Sequence, residues 1–161
     1  MKKILMIDPD NCVGCRQCAL SCSFNKEHLF SLAKARITTL WAYKIDMNVP
    51  MMCQHCEKPL CLDVCPMGAI SRSEESGAIV IDPDRCIGCR MCMVVCPFGA
   101  VTWDEDAKCM IKCDLCDSDP ECVKHCLYGA LTWLPADEAA ISRRQLGAGY
   151  LAEALIKLKE D

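Results

Sequence analysis

Four short cysteine runs constrain this chain more than any other feature. The first, CVGCRQCALSC, sets Cys12, Cys15, Cys18 and Cys22 at the spacing C-x2-C-x2-C-x3-C, and the third, CIGCRMCMVVCP, repeats that spacing with Cys86, Cys89, Cys92 and Cys96. The second, CQHCEKPLCLDVCP, is a stretched version with Cys53, Cys56, Cys61 and Cys65. The fourth, CDLCDSDPECVKHC, is stretched further and carries Cys113, Cys116, Cys122 and Cys126. Cys109 stands outside the runs. With 17 cysteines in 161 residues, the thiols are either cross-links or metal ligands, and that choice decides the rest.

Cross-links need an oxidising compartment. The start, MKKILMIDPDNC, has two lysines but only four consecutive apolar residues before Asp8, so no secretory signal is visible. No apolar run approaches the roughly 18 residues that suggest a membrane span. The expectation is a soluble, cytoplasmic chain whose thiols are ligands. Zinc accounts for pairs of C-x2-C but not for the intermediate Cys18 and Cys92, nor for a fourth cysteine at x3 in every run. Iron–sulfur clusters account for both. Three thiolates on one irregular loop reach three corners of a cubane, while the fourth begins or lies on the next helix and turns towards a neighbouring cluster.

The chain also repeats itself. Residues 4 to 24 and 78 to 98 align without gaps and share eleven of twenty-one positions, including the whole Asp-Pro-Asp turn. Each copy reads as strand, cluster loop, short helix. After the fourth cysteines come Met67-Gly68-Ala69-Ile70, Phe98-Gly99-Ala100-Val101 and Tyr128-Gly129-Ala130-Leu131, where the glycine permits a left-handed turn and the apolar residues start a returning strand. The fold class expected is α+β: two ferredoxin-like units, each a small strand-helix repeat around two 4Fe-4S clusters, with a C-terminal helical tail. Their boundaries are residues 1–30 plus 105–135 for the first unit, 50–104 for the inserted second unit and 136–161 for the tail. Residues 31–50, with Trp41 and Tyr43, read as an extended apolar link. In the tail, Leu151, Leu155, Ile156 and Leu158 share one helical face, which either packs on its own domain or docks a partner or another copy. Only nine residues are aromatic, so a conventional core is thin and clusters replace it.

The four runs together resemble the four-cluster ferredoxin subunits of DMSO-reductase-type enzymes, formate dehydrogenase and hydrogenase complexes, carbon monoxide dehydrogenase and tungsten-dependent aldehyde oxidoreductases. The resemblance spans residues 4 to 133. It implies that the first run pairs with the fourth and the second with the third, each lending its last cysteine to its mate. The ligand sets it implies are Cys12, Cys15 and Cys18 with Cys126; Cys113, Cys116 and Cys122 with Cys22; Cys53, Cys56 and Cys61 with Cys96; and Cys86, Cys89 and Cys92 with Cys65. Cys109 matches no family ligand and reads as a structural thiol, or as a substitute for a ligand. Ser23 and Leu127 replace the proline that often follows a fourth cysteine, which bears on where those helices end. All four third-run cysteines are kept, so no 3Fe site is expected.

The function implied is electron transfer, not catalysis: four 4Fe-4S clusters conducting single electrons between a larger catalytic oxidoreductase subunit and a second redox partner. A tungsten or molybdenum pterin enzyme of the aldehyde oxidoreductase type is the catalytic partner favoured by resemblance. The second partner is a flavoprotein, or further copies of the chain through its C-terminal helix. The alternatives are a freely diffusing polyferredoxin, or a subunit of a hydrogenase, formate dehydrogenase or carbon monoxide dehydrogenase. His28, His55 and His125 are scattered, and no glycine-rich nucleotide fingerprint is present. The formal charge of −4, with mixed signs along the chain, argues against a nucleic-acid surface. Four oxidised clusters would take that charge to roughly −12, so cations matter. Arg16, Lys58, Arg90, Lys112 and Lys124 stand inside or beside the runs, as charge-neutralising groups or as ordinary solvated cations.

Overall fold

The computed structural model describes residues 3–160, without the side chains at positions 146, 153, 154 and 157–160. Its contacts gather into two compact units, Met1–Met6 with Thr132–Asp161, and Ile7–Leu131. Among the described residues, four two-stranded sheets carry the strands: β1 (Lys3–Ile7) with β8 (Leu131–Pro135), β2 (Ile37–Ala42) with β3 (Met47–Met52), β4 (Ile70–Arg72) with β5 (Ile79–Ile81), and β6 (Val101–Asp104) with β7 (Cys109–Lys112). Between them lie α1 (Gln17–Glu27), three single-turn helices, α2 (Leu60–Asp63), α3 (Met91–Val94) and α4 (Glu121–Lys124), and after β8 the helix α5 (Ala136–Glu160). This is a mixed strand and helix fold of short hairpins with a C-terminal helix, the α+β class expected.

The sequence repeats become structural repeats. In the two Asp-Pro-Asp turns, the Asp8 carboxylate accepts from the Asp10 amide at 3.2 Å and the Asp82 carboxylate from the Asp84 amide at 3.0 Å. Short polar side chains thus close both turns before the cluster loops. After the second, third and fourth runs, Gly68, Gly99 and Gly129 take φ of +56°, +58° and +69°, and each amide donates to the carbonyl of the preceding fourth cysteine at 3.2 Å. The left-handed residue reverses the chain, and β4, β6 and β8 begin two residues later, as expected of the returning strands.

Three expectations are corrected. Of the fourth cysteines, only Cys22 lies on a helix; Cys65, Cys96 and Cys126 follow the ends of α2, α3 and α4. Those helices stop after one turn, while α1 runs on to Glu27. Residues 31–50 are not one extended link: a 3₁₀ turn at Leu32–Lys34 is followed by the β2–β3 hairpin, in register from Ile37↔Met52 to Ala42↔Met47. Ile37 and Thr39 are buried on one face of β2, while Trp41 and Tyr43 are exposed. Finally, α5 passes straight through Gly147 and Gly149, although each costs about 1 kcal/mol relative to alanine. Leu151, Leu155 and Ile156 are exposed on it, not packed on their own domain; the Leu158 side chain lies outside the described residues.

The conventional core is small. Ile70, Ile79, Val101 and Met110 are buried together with Cys92, and Cys61, Cys65, Cys86 and Cys96 pack against them. Hairpins β4–β5 and β6–β7 supply the apolar members, and the cysteine loops cover them. Burying each aliphatic side chain contributes about 1.5–3 kcal/mol. No described helix is long and apolar enough to cross a membrane.

Candidate metal centres

The cysteine loops fold as they do because their backbones turn left-handed where the spacing is tightest. Gly14 and Gly88 sit between the first two cysteines of their runs at φ +72° and +67°. A β-carbon on Gly14 would stand 2.5 Å from the Asn48 side chain, and one on Gly88 would stand 2.7 Å from the Trp103 ring. Arg16 and Arg90 follow in left-handed conformation and cap α1 and α3. Each loop therefore curls, and the next cysteine, Cys18 or Cys92, is buried in the first helical turn.

Three cavities in the 7–131 unit are ringed by thiols. One is lined by Cys12, Cys15, Cys18 and Cys126. A second is lined by Cys65, Cys86, Cys89 and Cys92. The third, of about 130 Å³, is lined by Cys53, Cys56, Cys61 and Cys96, with Lys112 in its wall. A fourth group shows in its electrostatics: burial pushes the Cys122 thiol up, and Cys113, Cys22 and Cys116 push it further. Each group contains the last cysteine of a different run. All seventeen cysteines are free thiols. Cys109 is buried in β7, where burial and then the neighbouring Cys86 raise its thiol, and it lines none of these cavities.

Burial makes these thiols hard to ionise without a cation: Cys92 is pushed up to about 11 and Cys113 to about 12. Other groups favour the thiolate. Backbone amides donate to sulfur from Arg36 to Cys22 (3.3 Å), His55 to Cys53 (3.4 Å), Ala69 to Cys65 (3.3 Å), Ala100 to Cys96 (3.4 Å) and Leu115 to Cys113 (3.5 Å). Asn25 donates to Cys116 at 3.6 Å, and the Thr39 hydroxyl lies 3.8 Å from the Cys18 sulfur. Among the described residues, no three Cys, His, Asp or Glu side chains close onto a point that could hold one ion. The thiols ring a space instead. An all-thiol ring with amides aimed at its sulfurs fits an iron–sulfur cubane.

A 4Fe-4S dicluster domain matches residues 45–136, and a 4Fe-4S binding domain matches residues 9–25. The chain belongs to the 4Fe-4S dicluster ferredoxin family. Among its relatives is the polyferredoxin-like subunit of aliphatic sulfonate oxidoreductase from Pyrococcus furiosus, 34% identical over 76% of this chain and 70% of that one. A subunit of the anaerobic dimethyl sulfoxide reductase from Escherichia coli is 34% identical over 88% of this chain and 78% of its own length. A subunit of the sulfite dehydrogenase from Allochromatium vinosum is 31% identical over 91% of this chain and 75% of its own length.

The cations singled out from sequence divide by position. Lys124 pairs with Asp119 and Glu121, and Arg90 stacks over the Trp103 ring at 4.7 Å. Arg16 lines the cavity of Cys12, and Lys58, exposed, lines that of Cys53 together with the buried Lys112. Of the histidines, His55 accepts from the Ile79 amide at 2.9 Å and His125 lines the Cys12 cavity. Sequence reasoning misses the amides of Ala69 and Ala100 as sulfur donors, although the repeated Gly-Ala after a fourth cysteine is their signal. Thr39, Asn25 and Asn48 carry no motif; only the hairpin and α1 bring them in.

Proposed function

We propose that this chain is a non-catalytic, cytoplasmic electron-transfer subunit of an oxidoreductase complex, with four 4Fe-4S clusters held by the four groups of thiols. Each such cluster, when bound, takes up and gives back one electron. The chain's own part is to supply four thiolates per site, to aim amides at them, and to keep water away from the inner cysteines. The single observation that carries this reading is that three cavities are each lined by the last cysteine of one run and the first three of another.

The electrostatics of the thiols also link one group to the next. Cys92 feels Cys61, Cys113 feels Cys53, and Cys122 feels Cys18. These neighbours support a relay that starts at the Cys86 group and passes the Cys53 group, then the Cys113 group, to the Cys12 group. The only exposed cysteines, Cys89 and Cys15, belong to the two end groups. That suits entry and exit of electrons at opposite ends, with two ferredoxin-like units joined at the middle. The catalytic partner we propose is a larger subunit with a tungsten or molybdenum pterin site, in keeping with the fourth-run pattern; the second partner is a flavoprotein, or further copies of the chain through its C-terminal helix.

Anaerobic isolation from the native host, followed by identification of what remains bound through two chromatographic steps, tests the subunit reading. A large catalytic chain in constant ratio is the expected result. A brown monomer alone would make the chain a diffusing polyferredoxin.

A further inference from the structure

Lys112 ends β7, one residue before the first cysteine of the fourth run, and is only 6% exposed. Its ammonium donates to the carbonyl of Ile79 in β5 and, at 3.0 Å, to that of Cys113. No ion pair among the described residues includes it. A buried lysine is expensive unless an anion compensates it. The thiols that share a cavity with it, and can serve as that anion, are Cys53, Cys56, Cys61 and Cys96.

We propose that Lys112 is a positioning residue that sets the reduction potential of the site formed by Cys53, Cys56, Cys61 and Cys96, holding it above the potential the same site would have without the ammonium. The inference rests on the four-cluster reading. One electron added to that site raises its negative charge by one, so a fixed cation in its wall attracts the reduced state more than the oxidised one. Burial removes the solvent that would screen the attraction, which is why exposed Lys58 on the same cavity counts for less. The neighbouring Cys113 site feels the ammonium through its backbone side and shifts less. The effect makes the second-run site a favoured resting place for an electron inside the relay.

The test is a dithionite titration of the anaerobically purified full chain, followed by electron paramagnetic resonance, in wild type, Lys112→Met, Lys112→Gln, Lys112→Arg and Lys58→Met. The signal lost in Cys61→Ser marks the site. With iron per chain unchanged, Met and Gln are expected to weaken reduction of that site about tenfold or more, which is about 59 mV for one electron. Arg is expected to restore most of it, and Lys58→Met to shift it less. An unmoved midpoint in Lys112→Gln, which keeps a donor but no charge, overturns the proposal. So does loss of the cluster from all three Lys112 variants, which makes the residue a tether. Wild-type iron far below four clusters would instead overturn the reading beneath it, independently of any shift.

Discussion

Asp104 stays ionised although its side chain is buried, because donors reach it from two elements. Burial alone would raise its carboxyl, but the Lys34 ammonium at 2.7 Å and the amides of Asp106 (2.9 Å) and Ala107 (3.1 Å) outweigh it and hold the group below the usual carboxylate range. A depressed native value means stability present near neutrality and lost as pH falls through that value. Asp104→Ala should therefore lower stability by about 1–3 kcal/mol at pH 7 by removing a charge-assisted pair and the two turn hydrogen bonds. The gap to wild type should close as the carboxyl protonates below its unfolded value of about 3.9, as read by denaturant unfolding at several pH values. A gap that is the same at pH 7 and pH 3 would mean the charge is irrelevant. Nothing in the sequence marks this pair, since a lysine in a 3₁₀ turn and an aspartate in a hairpin far along the chain carry no motif.

At the scale of elements, the proline rule explains only part of where helices end. Ser23 stands where Pro66 and Pro97 stand in other runs, and α1 continues past it for four residues. Ser23 is fully buried, donates to the Leu20 carbonyl at 3.0 Å and accepts from the Ser31 amide at 3.1 Å, so it anchors the next loop. Leu127 lacks the proline too, yet α4 stops at Lys124 and Leu127 is 81% exposed. Ser23→Pro should thus cost about 3 kcal/mol or more, and Leu127→Pro should fall within about 0.5 kcal/mol of wild type. Thermal unfolding of the iron-loaded proteins separates the two, and equal losses would contradict this account of the helix ends. The returning strands are legible in the sequence because Gly-Ala followed by apolar residues recurs three times. The β2–β3 hairpin is not, because Trp41 and Tyr43 suggest burial while the turn around Asp46 exposes them.

Across the whole chain, the cysteine spacing makes the ligand runs and the family legible, since three thiols on a short loop have few other uses. Which loops meet is not legible from spacing, because it depends on hairpins that return each fourth cysteine to another run. Resemblance supplies that pairing, and three cavities are lined by residues of three of its four sets. The exposure of Cys15 and Cys89 predicts that brief air exposure strips iron first from the two end sites, to about half the starting content. Uniform loss from all sites would contradict the relay order. The central claim is the number of clusters, and chemical analysis of iron and acid-labile sulfide on anaerobically purified full chain tests it most directly. About sixteen of each per polypeptide is the result predicted for four 4Fe-4S clusters; about eight or fewer, or zinc in their place, would contradict it.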